Sequence, residues 1–388
     1  MSHAVLSPSA AHRWLTCTPC ARLEENYPDV SSPFAQEGSI AHEFGELKLK
    51  QMLGLITTEE FAMRANVLRE DEMYQPEIEE YAEGYASFVW ERYQAARKDN
   101  EYVRLRIEER IDLRAYIPEG FGTGDAVILS DGTMDIIDLK YGKGVKVSAV
   151  ENPQMMIYAI GALYACSIEY EVERVRMTIY QPRLGNVSEW EITASALKKW
   201  AKEELMPKAL MAFKGEGELV PGDHCKFCKA KARCRALAQH NVEASVHEFD
   251  DVHLLSIDAI AELLHEFDGI KTWIAAVEEY ALAEALKGTK VPGWKLVEGR
   301  SVRKYKDDKE VAQRLRDNGI TDDVIYKPQE LNTITTMEKK LTKKGFNAML
   351  GDLVIKPAGK PTLVTEDDAR PEYNSAANDF NDFNGINV

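Results

Sequence analysis

Residues 122–140 read GTGDAVILSDGTMDIIDLK. Two runs rich in β-branched and other apolar residues, 125–130 and 134–140, flank the turn Ser130-Asp131-Gly132-Thr133, and that pattern predicts a β-hairpin. Antiparallel pairing sets the start of one strand beside the end of the next, so Asp125 and Asp138 are expected to meet. Asp138 and Lys140 lie two apart and share a face, because strand side chains alternate. Asp138 also follows the apolar run Met134–Ile137, where a solvent-facing acid is out of place. Two carboxylates and a lysine therefore converge on one end of the hairpin. Taken alone, Asp-x-Lys is more often a pair of solvated charges at a strand end.

Working outward, Val103, Leu105, Ile107, Ile111 and Leu113 alternate with polar residues and predict a strand over 101–113. Glu109 falls on its apolar face, where it could face a metal or sit at an edge. Upstream, 35–53 and 75–97 have the spacing and composition of helices. Downstream come an apolar helix at 152–166, a strand at 173–181, a short strand at 187–192 and a polar helix at 194–213. The central order of helix, three strands, helix and strand predicts an α/β unit with a mixed central sheet flanked by helices. Pro221 and Gly222 mark a break before a cysteine-rich segment. Beyond it the chain reads as a mainly helical α+β region, with helices at 253–287, near 308–318 and at 335–349, and strand-like pieces around 293–305. The divisions expected are 1–244, an accessory region 245–365, and an acidic tail 366–388 too polar to fold.

The 388 residues can bury a real core. A net charge of -16 excludes a protein that coats nucleic acid nonspecifically, but not an enzyme with a locally basic groove. The opening MSHAVLSPSAAHRWL has no apolar run of signal-peptide length and no stretch approaches a membrane span, so no membrane association and a cytoplasmic location are expected.

The carboxylates suit phosphodiester hydrolysis, whose barrier must fall by roughly 20 kcal/mol. Divalent metals held by acidic oxygens on rigid elements, with a cation nearby, supply that chemistry. The run GTGDAV (122–127), IIDLKYGKG (136–144) and NPQMMIYAIGAL (152–163) resembles the PD-(D/E)XK, restriction-endonuclease-like core of the RecB-like exonucleases. Gln154 and Tyr158, four apart on one helix face, match that family's Gln-x3-Tyr motif, and Gly38 and His42 match its upstream G-x3-H. The resemblance implies that His42, Asp125 and Asp138 ligate Mg²⁺ or Mn²⁺ with the Leu139 carbonyl, and that Lys140 orients water or stabilises the transition state. It further implies that Gln154 and Tyr158 complete the catalytic pocket.

Six cysteines, Cys17, Cys20, Cys166, Cys225, Cys228 and Cys234, are clustered as metal ligands are. HCKFCKAKARC (224–234) offers three, and Cys17 or Cys20 a fourth. Cys166, inside an apolar helix, reads as a buried thiol. The arrangement resembles the iron–sulfur nuclease domains of AddB-type helicase–nucleases, in which one cysteine precedes the core and three follow. That resemblance implies a 4Fe-4S cluster on Cys17, Cys225, Cys228 and Cys234, Cys17 being chosen over Cys20 through the Trp14-x2-Cys17 pattern. A structural Zn²⁺ on Cys17, Cys20, Cys225 and Cys228 is the alternative, leaving Cys234 unused. Lys226, Lys229, Lys231, Arg233 and Arg235, with Lys140, Lys143 and Lys146, could line a path for a DNA backbone. A second basic stretch runs through Lys295, Arg300, Arg303, Lys304 and Lys306. With the nuclease motifs, KVPGWKLVEGRSVRKY (290–305) and KPAGKPTLV (356–364) resemble an uncharacterised phage and prophage family on the same core. The function implied is a metal-dependent exonuclease acting on DNA ends or single strands, in phage recombination, replication or DNA processing with a partner protein. The competing readings are a non-catalytic DNA-binding or assembly subunit and a structure-specific endonuclease.

Overall fold

A computed structural model describes residues 4–28, 33–100, 102–142, 144–244, 257–297, 307–317, 321–322, 333–341, 343–350 and 353–354. Lys143, Arg300, Arg303, Lys304 and Lys306, most of the strand-like piece at 293–305, and the tail 366–388 lie outside them. The hairpin of the sequence reading is there and forms the middle of a five-stranded sheet. Its strands are β1 (Arg104–Asp112), β2 (Phe121–Leu129), β3 (Gly132–Leu139), β4 (Val172–Gln181) and β5 (Asn186–Thr193), in the spatial order β1-β2-β3-β4-β5. β3 and β4 are parallel and the other neighbours antiparallel, so the sheet is mixed. The parallel pair needs a crossover, and α6 (Pro153–Cys166) supplies it. Asn152 caps that helix by accepting from the Gln154 and Met155 amides, and Pro153 opens it.

Helices cover both faces. One apolar cluster joins α6 to Val127, Leu129, Ile136, Val175, Met177 and Ile179, and also takes in α1 (Ala11–Thr16) and α2 (Cys20–Glu24). The other joins α3 (Pro33–Met52), α4 (Thr58–Arg69) and α5 (Pro76–Asp99) to Ala126, Ile128, Ile137 and Leu139. Sequence spacing did not separate α4, whose start is a capping box between Thr57 and Glu60. At Gly161 in α6, a Cβ would run into Ile111 and Leu113. The helix carries a glycine there because its backbone lies against β1. The polar helix expected at 194–213 is α7 (Ala194–Trp200), a π turn (Ala201–Leu205) and α8 (Met206–Lys214). The wide turn stands just ahead of Pro207, which has no N–H to give to a regular ladder.

Two expectations about the strands are corrected. β2 starts at Phe121, so Asp125 lies within the strand, and Lys140 is one residue past β3. The alternation in β1 also breaks. Val103, Leu105 and Ile107 belong with the α3–α5 cluster, whereas Ile111 and Leu113 belong with the α6 cluster. The switch occurs at Glu108, whose φ of 47° is left-handed and costs a non-glycine residue of order 1–3 kcal/mol.

Internal contacts divide the chain into Met1–Arg300 and Ser301–Val388. The first unit ends with α9 (Arg235–Ala244) and the 30-residue α10 (Ile257–Leu286). The second contains α11 (Asp308–Asp317), α12 (Ile334–Leu341) and α13 (Lys343–Leu350), with Ala312 and Phe346 buried. No described helix is long and apolar enough to cross a membrane.

Candidate functional site

The kink in β1 and the hairpin register assemble a row of acids. Glu108 lies between the pairs Ile107–Ala126 and Glu109–Gly124, hence across from Asp125. Asp125 and Asp138 directly follow the pair Ala126–Ile137, so three neighbouring strands each put one carboxylate at the same level. His42 reaches the row from α3, with Nδ1 3.3 Å from Asp125 Oδ1 and 3.8 Å from Glu108 Oε1. His42, Glu108 and Asp125 each offer an atom within 4.8 Å of the others, a group that could hold a metal ion. Asp125 Oδ2 accepts from the Leu139 amide at 2.7 Å. A bond of this kind to a charged group contributes about 1.5–3 kcal/mol and fixes the carboxylate to the backbone of β3.

Asp138 is held from the other side. Lys140 Nζ stands 2.9 Å from its Oδ2, and Gln154 Nε2 donates at 3.3 Å both to Asp138 Oδ1 and to Tyr158 Oη. Asp138 Oδ2 is buried, and the Lys140 ammonium is its ion-pair partner. The expected set of His42, Asp125, Asp138, Lys140, Gln154 and Tyr158 is thus brought together; Leu139, expected to act through its carbonyl, is tied to the row through its amide. Glu109 is not part of it. Glu109 forms an ion pair with Arg106 at 2.9 Å, because the kink at Glu108 turns the following residues over.

Burial and neighbouring charge set the protonation of the row. Burial disfavours the Asp125 carboxylate, but His42, Lys140 and the Leu139 amide outweigh it and hold its pKa below the usual range. For Asp138, burial and the nearby Asp125 prevail over Lys140, and its pKa rises. Glu108 rises as well, chiefly through burial, with His42 opposing. His42 is disfavoured as a cation by burial, yet Asp125 and Glu108 lift its pKa well above normal. Lys140 also loses by burial and gains more from Asp138, so it stays protonated. Burial raises the Tyr158 phenol and keeps it a donor.

The thiols gather elsewhere. Cys17, Cys20, Cys225, Cys228 and Cys234 line one cavity of about 20 Å³ together with His224, and all six cysteines are free. Cys166 lies apart in the core, donating to the Leu163 carbonyl. The chain segments around this cavity are tied by direct hydrogen bonds. Glu24 accepts from the Lys229 amide at 2.9 Å and from Arg13 at 3.1 Å, and Thr18 Oγ1 donates to the Glu216 carbonyl at 2.6 Å. The Cys20 thiol and His224 favour the thiolate of Cys17, whose pKa falls, while Cys20 and Cys228 are pushed up. The Cys17 and Cys225 sulfurs in turn raise His224 to about 10.

Sequence reasoning overlooked Glu108 and His224. The signals were the paired glutamates Glu108-Glu109, whose order alternation misassigns, and the position of His224 directly before Cys225.

Among solved structures, one titled "Crystal structure of SSO0001" is similar at 14% identity, over 50% of this chain and 95% of that chain, with a TM-score of 0.21. The family model described as "Protein of unknown function (DUF2800)" matches residues 3–371. That match takes in both the carboxylate row and the cysteine cavity, and the chain belongs to the DUF2800 family.

Proposed function

We propose that the protein is a metal-dependent deoxyribonuclease on a PD-(D/E)XK core of the RecB-like kind, acting at DNA ends or on single strands. The observation that carries this reading is the row Glu108, Asp125 and Asp138, with His42 at one end and a protonated Lys140 at the other. A protein that only binds DNA gains nothing from three buried acids, which repel a phosphate backbone unless a cation stands between them.

The donor set fits Mg²⁺ or Mn²⁺. Carboxylate oxygens with one imidazole suit hard or borderline divalent ions, and His42, Glu108 and Asp125 bring ligand atoms within 4.8 Å of one another. When bound, such an ion lowers the pKa of water and neutralises charge on the phosphate. The chain does the rest. Asp125, fixed by the Leu139 amide, and His42 hold one side of the site rigidly. Lys140 keeps its proton and offers a cation to the phosphate oxygens as negative charge builds up on them. Gln154 sets the rotamer of Asp138, and the Tyr158 hydroxyl stays protonated and able to donate toward the strand. An endonuclease is separated from an exonuclease by using circular substrate.

The cysteine cavity fits a thiolate-bound centre, for which we propose 4Fe-4S on Cys17, Cys225, Cys228 and Cys234. The Trp14-x2-Cys17 pattern supports Cys17 over Cys20 as the upstream ligand. Structural Zn²⁺ is the alternative, and iron and sulfide content after anaerobic purification separates the two.

The nuclease reading is tested with end-labelled single- and double-stranded DNA and Mg²⁺ or Mn²⁺. Cleavage by the wild type is expected, falling about 10²–10³-fold or more in Lys140→Ala and Asp125→Ala. No cleavage, or undiminished cleavage by both variants, refutes it and leaves the non-catalytic binding subunit.

A further inference from the structure

The helix α10 runs for 30 residues and is held to the body along one side. There Gly269 and Trp273 border a cavity with Leu237 of α9, and the Arg233 guanidinium lies over the Tyr280 ring. The opposite side carries Ile257, Ile260, Leu264, Phe267, Ile274 and Leu282, each between 39% and 76% exposed. Lys271 and Glu278 fill the remaining places in the row, so its members recur every three or four residues from 257 to 282. Single apolar side chains on a surface need no explanation. A continuous stripe at this period is the seam by which one helix packs along another.

A cover for the stripe has to match its length, about 38 Å at 1.5 Å per residue. The helices α11, α12 and α13 have 10, 8 and 8 residues and reach less than half as far. The long helices α3 and α5 are packed into the apolar cluster against the sheet. Among the described helices, that leaves α10 of a second copy.

The two charges in the row select the orientation. Lys271 and Glu278 are both exposed, and neither has an ion-pair partner among the described residues. A parallel pair in register would set Lys271 against Lys271 and Glu278 against Glu278, two like-charge contacts inside an apolar seam. An antiparallel pair about a twofold axis near Ile274 instead brings each Lys271 within one helical turn of the other copy's Glu278. Twofold symmetry makes that ion pair twice, and polar residues at single seam positions are what fix register and direction in such pairs. We propose that α10 is the seam of a homodimer, in which two copies of the chain pack antiparallel through this stripe. Phe267 and Leu264 of one helix then lie against the second half of the other, where Leu282 continues the row.

The test is sedimentation of the full chain over a dilution series, without added metal or DNA. The wild type is expected to be a reversible dimer. Phe267→Glu should raise the dimer Kd about thirtyfold or more. The side chain is exposed, so the fold should survive, and circular dichroism checks that the helix content is kept. Lys271→Glu and Glu278→Lys should each weaken the dimer about tenfold by creating like-charge contacts. The exchange of both in one chain rebuilds two ion pairs and should return the Kd to within about threefold of the wild type. In a parallel pair the two positions are a heptad apart and their effects would add. A wild type that stays monomeric across the series overturns the proposal, as does a dimer that Phe267→Glu leaves intact. A double variant at least as weak as either single one overturns the antiparallel seam.

Discussion

At the carboxylate row the acids come from three strands hydrogen-bonded to one another within residues 104–139, and His42 alone is brought from a distant helix. The thiol cavity is assembled from short helices and 3-10 turns, and the hydrogen bond from Lys229 to Glu24 that helps close it spans 205 positions. The first site is positioned by the sheet ladder whether or not an ion is present. The second has little regular structure of its own, so the proposed thiolate centre, when bound, would contribute a larger share of its order. Metal should therefore matter to chemistry at one place and to stability at the other.

The most direct way to break that contrast is Cys228→Ser. Losing a ligand of a thiolate centre should remove several kcal/mol of folding free energy, seen as a fall in Tm on the order of 10 °C. Mn²⁺ affinity at the carboxylate row, measured by calorimetry below the melting range, should stay within about twofold. A matching loss of Mn²⁺ affinity would show that the cavity also shapes the row, and the division of labour would fail.

The contrast is sharpened by pH. In the metal-free protein the pKa values of His42, Glu108 and Asp138 are all raised, and that of Asp125 is lowered. A cation binds the deprotonated forms, so protons on the first three must leave as it enters, while Asp125 has none to lose. Mn²⁺ affinity should accordingly rise with pH, by about tenfold per unit for each proton displaced. The rise should begin above the ordinary carboxylate range and continue past the ordinary histidine value of about 6.5. His42→Asn should flatten the upper part of the curve and leave the lower part in place. A flat wild-type curve between pH 5 and 8 would show that these groups do not share the ion.

How far the two regions could be read from sequence follows from the same difference. The hairpin was legible because its turn residues and apolar runs are local, and Asp125, Asp138 and Lys140 fall on it with a fixed period. Gln154 and Tyr158 were legible because four-residue spacing fixes a helix face. The thiols showed as a spacing, but spacing cannot tell Cys17 from Cys20, since both line the cavity. The flip of β1 was not legible. A left-handed φ at a glutamate arises from its tertiary surroundings, and nothing in RLRIEERID announces it.

That flip supplies the smallest effect and the finest discrimination. Period-two reading puts Glu109 with the apolar residues, whereas the structure turns Glu108 toward His42 and gives Glu109 to Arg106. Glu108→Gln should weaken Mn²⁺ binding about tenfold, the lower end of the range for losing a contact at a metal site. It should also remove one proton from the pH dependence, because the amide has none to release. Glu109→Gln breaks a half-exposed ion pair of little worth and should change stability by no more than about 0.5 kcal/mol and Mn²⁺ affinity not at all. The two changes are chemically identical and one residue apart, so side-chain charge in general cannot explain a difference between them. If the order were reversed, β1 would keep its alternation through the site, and the acid facing His42 would be Glu109.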